Sequence, residues 1–338
     1  MQLAKKTIAG LVCFIASMTP TLLSSAFFST ALSSAAFSNE TNADSNSDPE
    51  EIQRLIRQLG ARNYSQRKYA ESVLRELGHV AIDQLIEAQY ASSPEISLAA
   101  QQLLGRLEIR WTAADDAPIT TEIMREYEDK SSEDRQEAAT WLAELHDGAG
   151  FDVATRIVRY DRSDLVAKHA ALELINYVDV DSRDNLLALE AAVDQTLRDC
   201  PRVAAEWLVT FVRHQKNPSP VTIAAMRKQV ARESSETDEV RSSGKITAGL
   251  YMALAEMADR LKDDALVAEA IAGHLQLVKD DEYSVVKTAY WLLDHDHDSM
   301  LQQLIFDPFD QLAKELPQLL YCSAEAALED DQQRAEQL

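Results

Sequence analysis

Between residues 65 and 78 the chain reads SQRKYAESVLRELG, and Arg67, Ala70, Leu74 and Leu77 fall at steps of three, four and three. Those steps place all four side chains on one helical stripe. The same skeleton returns as Ser97, Ala100, Leu104, Leu107, then Arg135, Ala138, Leu142, Leu145, then Lys168, Ala171, Ile175, Val178, and then Arg202, Ala205, Val209, Val212. Successive copies are offset by 30, 38, 33 and 34 residues. A period of that size, carried by amphipathic helices with a small alanine at the point of contact, is the sequence mark of a helical solenoid.

The pattern between the copies fills in the partner helices. A first helix over residues 49–59 starts at Pro49, where a missing donor costs nothing, and carries Ile52, Leu55, Ile56 and Leu59 on one face. Gly78 follows the last aliphatic of the first copy, where a left-handed residue turns the chain back into a second helix over 81–90. Further helices are predicted over 121–129, 132–145, 151–160, 165–178, 186–197 and 201–214, with Ser132 and Ser163 as N-caps. The run Trp111 to Thr120 reads as an inserted loop. Gln215 to Pro220 is the strongest breaker, and a subdomain boundary is expected there. Beyond it, helices are expected over 221–232, 245–261, 265–278 and 283–293, with a polar loop over 233–244.

Residues 65–107 and 132–178, with the Arg-x-x-Ala-x-x-x-Leu-x-x-Leu helix, the Ala/Leu/Ile second helix and the Ser-Pro-Glu start at Ser93, resemble the short HEAT repeats of the bilin-lyase type. The pair at 245–278 resembles a tetratricopeptide hairpin as much as a HEAT pair, and 318–338 resembles a degenerate tetratricopeptide hairpin whose usual Gly-Asp turn reads Asp330-Asp331. The resemblance implies a right-handed α-α superhelix whose second helices line a concave surface, and it places Gln84, Glu87, Arg156 and Arg159 there as exposed partner-binding residues. The chain departs from the repeat in having Ser97 where a basic residue is usual. A fold shared with a lyase does not transmit its activity.

Composition agrees with helices. Only 9 Gly and 9 Pro punctuate 338 residues, 46% of which are hydrophobic. Lys5 and Lys6 precede an uncharged stretch reaching to Glu40, with small residues at Ala36 and Ser38. Residues 1–38 therefore read as a secretory signal peptide and 39–49 as a disordered linker, with an uncleaved membrane anchor as the alternative. The expectation is an exported protein, periplasmic or extracellular, that meets a membrane only if that signal stays uncleaved. The net charge of −23 repels phosphate backbones and argues against nucleic acid as a ligand. Acid is not evenly spread, since residues 51–80 hold six bases and three acids.

Candidate chemistry is sparse. Asp294-His295-Asp296-His297-Asp298 offers imidazole and carboxylate ligands, so His295 and His297 are the candidate metal ligands, set against a solvated connection. His146, His169, His214 and His274 stand alone and read as packing or surface residues. Cys200, near a helix start, invites comparison with acidified thiols but reads as a half-buried residue; it and Cys322 are expected to be unpaired. Trp141 and Trp207 are expected in the core, whereas Trp111 is the aromatic expected to be exposed. The recurring Arg67, Arg135, Lys168 and Arg202 read as a stabilising ladder, stems over the grooves between repeats and charges paired with carboxylates of the preceding repeat. The chain contains no Gly-rich phosphate loop, Gly-x-Ser-x-Gly elbow, His-Glu-x-x-His or Cys-x-x-Cys motif.

These readings lead to a non-catalytic scaffold for protein partners, needing no cofactor, with two other classes kept open. One is a repeat-containing enzyme, lyase-like or a metal-assisted hydrolase using the Asp294 to Asp298 cluster. The other is a self-associating structural component of the envelope. HEAT-like repeats are expected over 50–216 and degenerate helical repeats over 221–338, either ending in a truncated cap or continuing into a longer array.

Overall fold

A computed structural model describes residues 48–301, and every regular element among them is helical. The protein is all-α. The predicted leader over 1–38, most of the 39–49 linker, the hairpin at 318–338, Cys13 and Cys322 lie outside the described residues.

The helices start where polar caps meet apolar stripes. They are α1 (Pro49–Leu59), α2 (Tyr64–Leu77), α3 (Ile82–Ala88), α4 (Pro94–Leu104), α5 (Pro118–Ile123), α6 (Ser132–Ala143), α7 (Phe151–Tyr160) and α8 (Asp164–Tyr177). Then follow α9 (Arg183–Leu197), α10 (Val203–Lys216), α11 (Pro220–Ser234), α12 (Gly244–Arg260), α13 (Asp264–Val278) and α14 (Glu282–Asp294). Side-chain oxygens of Asn63, Ser93, Ser131, Ser163, Ser182, Ser219, Ser243, Asp263 and Asp281 each accept a hydrogen bond from a first-turn N–H. Each such cap is worth about 1 kcal/mol. The cap of α6 is therefore Ser131, one residue before the predicted Ser132. Gly78 has the predicted positive φ, at 56°. The predicted helix over 121–129 is instead the short α5 followed by a 3-10 turn at Tyr127–Asp129, separated by left-handed Glu126.

The alanines that define the repeat are where two helices touch. Ala70, Ala100, Ala138, Ala171 and Ala205 are all at most 1% exposed. Glycine brings helices closer still. A Cβ on Gly249 of α12 would lie 2.7 Å from Leu172 Cδ1 of α8, and one on Gly150 would lie 2.1 Å from the Leu142 carbonyl oxygen. Packing does not, however, run only between sequence neighbours. Helix α8 packs against α6, α7, α10 and also α12, four helices on along the chain.

The apolar interior falls into two clusters, Ile52 to Leu107 and Met124 to Leu301. The break falls between Leu107 and Met124, a span that holds the inserted Trp111 to Thr120 stretch and α5, and the core continues unbroken past Gln215 to Pro220, where α10 packs on α11 across a three-residue turn. The breaker there caps a helix, Ser219 and Pro220 starting α11.

Tryptophan placement corrects one expectation. Trp207 is fully buried, but Trp141 is 47% exposed, because Ala138 and Leu142 take the inward stripe of α6 and leave Trp141 outside it. Trp111 is half-buried instead, its ring 4.7 Å from that of Tyr127 and its Nε1 donating to Glu128.

Candidate functional site

The basic ladder is an internal framework. Arg135, Lys168 and Arg202 are only 6%, 5% and 7% exposed, respectively. Arg135 Nη1 donates to both carboxylate oxygens of Asp161 at 2.8 Å, and the Tyr127 hydroxyl donates to the same carboxylate at 2.7 Å. Burial and the adjacent Asp161 charge push the Tyr127 phenol far up, so it serves only as a donor. Arg202 donates to the Asp161 and Arg159 carbonyls and, at 2.9 Å, to Asp164. Lys168 bonds Glu233 at 2.7 Å and the Arg241 carbonyl at 2.8 Å. Arg67 Nη1 donates to the Ala61 and Arg62 carbonyls, and the serine that replaces a base, Ser97, donates to the Gln89 carbonyl at 2.6 Å. The partners therefore include carbonyls and carboxylates of the following loop and of α11, besides those of the preceding repeat. A buried guanidinium needs this many acceptors to offset its lost hydration.

Two of the four polar residues expected on the second helices meet at one cleft, and the other two are occupied elsewhere. Gln84 and Glu87 line a cleft of about 490 Å³ with Lys168, Arg202 and Arg241. Arg241, from the loop between α11 and α12, folds over its mouth, 3.0 Å from Asp164, 3.8 Å from Glu87 and 4.5 Å above the Tyr90 ring. Burial raises the Tyr90 phenol to about 12. Glu87 remains exposed at the rim. Arg159 bonds the Thr196 carbonyl at 2.6 Å and Asp83 at 3.2 Å, while Arg156 bonds the Trp111 carbonyl and Asp116 and so pins the inserted loop. Arg156 and Arg159 are thus spent on the chain's own carbonyls and carboxylates, and of the four expected contacts only Gln84 and Glu87 face this cleft.

The two histidines of the acidic cluster turn toward α12, each to a separate acid. His295 Nε2 lies 3.4 Å from Glu256, and its ring stacks on Trp291 with centroids 4.2 Å apart. Trp291 Nε1 donates to the same Glu256 carboxylate at 3.1 Å. Burial works against the His295 charge, but the hydrogen bonds and charge of Glu256 and the Trp291 carbonyl outweigh it and raise its pKa. The same bonds outweigh burial at Glu256 and lower its pKa. His297, which is buried, meets Asp259 at 3.1 Å, one turn further along α12. Among the described residues no group of three or more His, Cys, Asp or Glu side chains converges as a metal site would require. Cys200 is free and half-buried, with its pKa raised by burial, the opposite of an activated thiol.

The Glu256–His295 pair closes one end of a groove that the sequence did not disclose. α12 forms its floor, with α8 and α14 as walls and Val278 of α13 behind, enclosing about 530 Å³. Ile175, Val178, Met252 and Trp291 make it predominantly apolar, and Lys245 and Lys287 stand beside it. Its rim is aromatic. Tyr283 is 76% exposed and Tyr177 40%, with the Lys287 ammonium 6.0 Å above the Tyr177 ring. Tyr177 shares a hydrogen bond with Glu144, which lies one helical turn after the exposed Trp141. The only advance signal was that Tyr177, Tyr283 and Lys287 sit off the apolar stripes of their helices; their meeting depends on α14 reaching back beside α8.

Among the described residues no helix is long and apolar enough to cross a membrane. No family model matches the chain, and neither a curated protein nor a solved structure does.

Proposed function

We propose that the protein is a non-catalytic interaction scaffold of the exported compartment, a HEAT-like stack of hairpins that holds a protein partner in the groove between α8, α12 and α14. The observation that carries this reading is an apolar groove lined by Met252, Trp291 and the exposed Tyr283, with the exposed Tyr177 beside it under Lys287. Aromatic side chains bring large contact area at small entropic cost, and they dominate the energetics of interfaces. The buried ladder supports the same reading, because it holds successive hairpins by internal bonds and leaves the groove's shape fixed before binding. Export rests on the basic start and uncharged run of residues 1–38.

The test is a photo-crosslinking residue placed at Tyr283 in the intact chain in its native cell, with a second at Val221, equally exposed at 77%. A discrete adduct at Tyr283 that is absent at Val221, recovered from the extracytoplasmic fraction, is the expected result. Equal labelling at both positions, or a product confined to the cytoplasm, overturns the reading.

A further inference from the structure

We propose that the cleft between α3, α8 and α10 binds a neutral sugar, whose hydroxyls donate to Asp83 Oδ1 and Gln84 Oε1, two buried oxygens left without a donor. This goes beyond the scaffold reading and does not depend on it, since the cleft shares no lining residue with the α8–α12–α14 groove.

Position and size suit a small molecule. Ile86 belongs to the first apolar cluster and Ala167 and Ala204 to the second, and all three line the cleft, which therefore sits where the two clusters meet. Ligand sites favour such junctions, and the 490 Å³ enclosed here lies within their usual range of roughly 300–1,000 Å³.

The ligand's charge follows from what is already matched. Inside the cleft Asp164 is held by Arg202 at 2.9 Å and Arg241 at 3.0 Å, Glu233 by Lys168 at 2.7 Å, and Asp83 Oδ2 by Arg159 at 3.2 Å. At the rim Glu87 faces Arg241 at 3.8 Å and Arg232 faces Glu206 at 3.9 Å. That leaves Glu236, exposed on the loop after α11, as the lining charge with no opposite charge within 4.0 Å among the described residues. An ion that entered would meet no unopposed counter-charge inside, and its lost hydration would go uncompensated. A neutral ligand avoids that cost.

What remains unspent is hydrogen bonding. Asp83 Oδ1 and Gln84 Oε1 accept nothing, although both residues line the cleft. Burial raises the Asp83 carboxyl despite the charges of Arg159 and Arg202, as expected of a carboxylate short of donors. The amides of Gln84, half-buried, and of Gln53, exposed on α1, each set a donor beside an acceptor. Vicinal hydroxyls, which themselves both donate and accept, match that pairing. Ile86, Pro201 and Val203 supply an apolar wall for the C–H face of a sugar ring.

Isothermal titration calorimetry of the full-length protein tests this with the neutral disaccharides maltose, cellobiose, lactose and diacetylchitobiose, and with spermidine and citrate as ionic probes. At least one disaccharide is expected to bind with a Kd below about 1 mM, equally at low and high salt because no net charge is paired. Gln84→Leu is expected to weaken that binding about tenfold, and Gln53→Ala by less, with neither lowering the urea-unfolding midpoint. Silence of every sugar, binding that Gln84→Leu leaves intact, or binding of spermidine or citrate alone overturns the proposal. So does a sugar affinity that falls steeply with salt, which would mark an ionic contact. None of these results bears on the Tyr283 adduct, so the scaffold reading stands or falls separately.

Discussion

Replacing Asp161 with alanine should be the most damaging single change away from the apolar core. The carboxylate is 1% exposed and accepts three donors, the Arg135 guanidinium at 2.8 Å, the Tyr127 hydroxyl at 2.7 Å and the Ser163 N–H at 2.7 Å. Asp161→Ala leaves the buried Arg135 charge without a counter-ion, which costs about 3–5 kcal/mol when one member of a buried pair is removed. The phenol and the amide left unpaired add about 1–3 kcal/mol each where water cannot reach them. Partial relaxation offsets some of this, so a total near 5 kcal/mol is expected, at the edge of what single substitutions produce. For a domain of this size that corresponds to a fall in Tm of about 10–20 °C. Urea unfolding followed by circular dichroism measures it. The companion variant Arg135→Met with Asp161→Leu and Tyr127→Phe removes every polar partner together, and it should recover most of the loss, because an apolar cluster needs no charge balance. A loss below about 1 kcal/mol for Asp161→Ala, or a triple variant as unstable as the single, would refute the view that the ladder is an internal framework.

Three further outcomes follow from the same geometry. Gly150→Ala puts a Cβ 2.1 Å from a backbone oxygen of α6, which only a backbone shift relieves, and should cost at least about 2 kcal/mol in the same unfolding assay. The Glu256–His295 pair should stabilise the protein most in a mildly acidic window. His295, with its pKa raised above 6.5, contributes fully below that value and loses its contribution as pH rises through the folded pKa, while Glu256, lowered below 4.5, loses its own as pH falls through its folded pKa. Glu256→Gln should remove both limbs from the stability-against-pH curve, and an unchanged curve would rule the pair out. Cys200, raised by burial, should react with iodoacetamide at neutral pH more slowly than a free thiol, and unfolding in urea should speed the reaction; a rate equal to that of a free thiol in the folded protein would refute this.

Most helices were legible because local rules decide them. Serine caps, a proline at the first position and apolar steps of three and four are properties of a dozen neighbouring residues, and the helices over 49–59, 151–160 and 265–278 fall within a residue of where those signals put them. The repeat alanines could likewise be read, since only a small side chain permits the close approach that buries all five. Trp141 was misread for an instructive reason. Position beside an aliphatic residue does not say which of two neighbouring faces points inward, and the inward stripe of α6 was already filled by Ala138 and Leu142.

What the sequence determined by itself is the all-helical class, the recurring stripe of a small alanine with spaced aliphatics, and the excess of acid, each of them local in origin or additive over residues. Only the tertiary structure decided which polar groups are spent and which are left over. Arg156 and Arg159 look like surface cations in the sequence and are consumed by carbonyls and carboxylates some 37 to 76 residues away. His295 and His297 look like a pair of ligands and turn to two different acids on α12. The groove exists because α12 packs on α8 past the intervening α9 to α11, a long-range contact whose energy comes from buried area and shape that no short stretch of residues encodes.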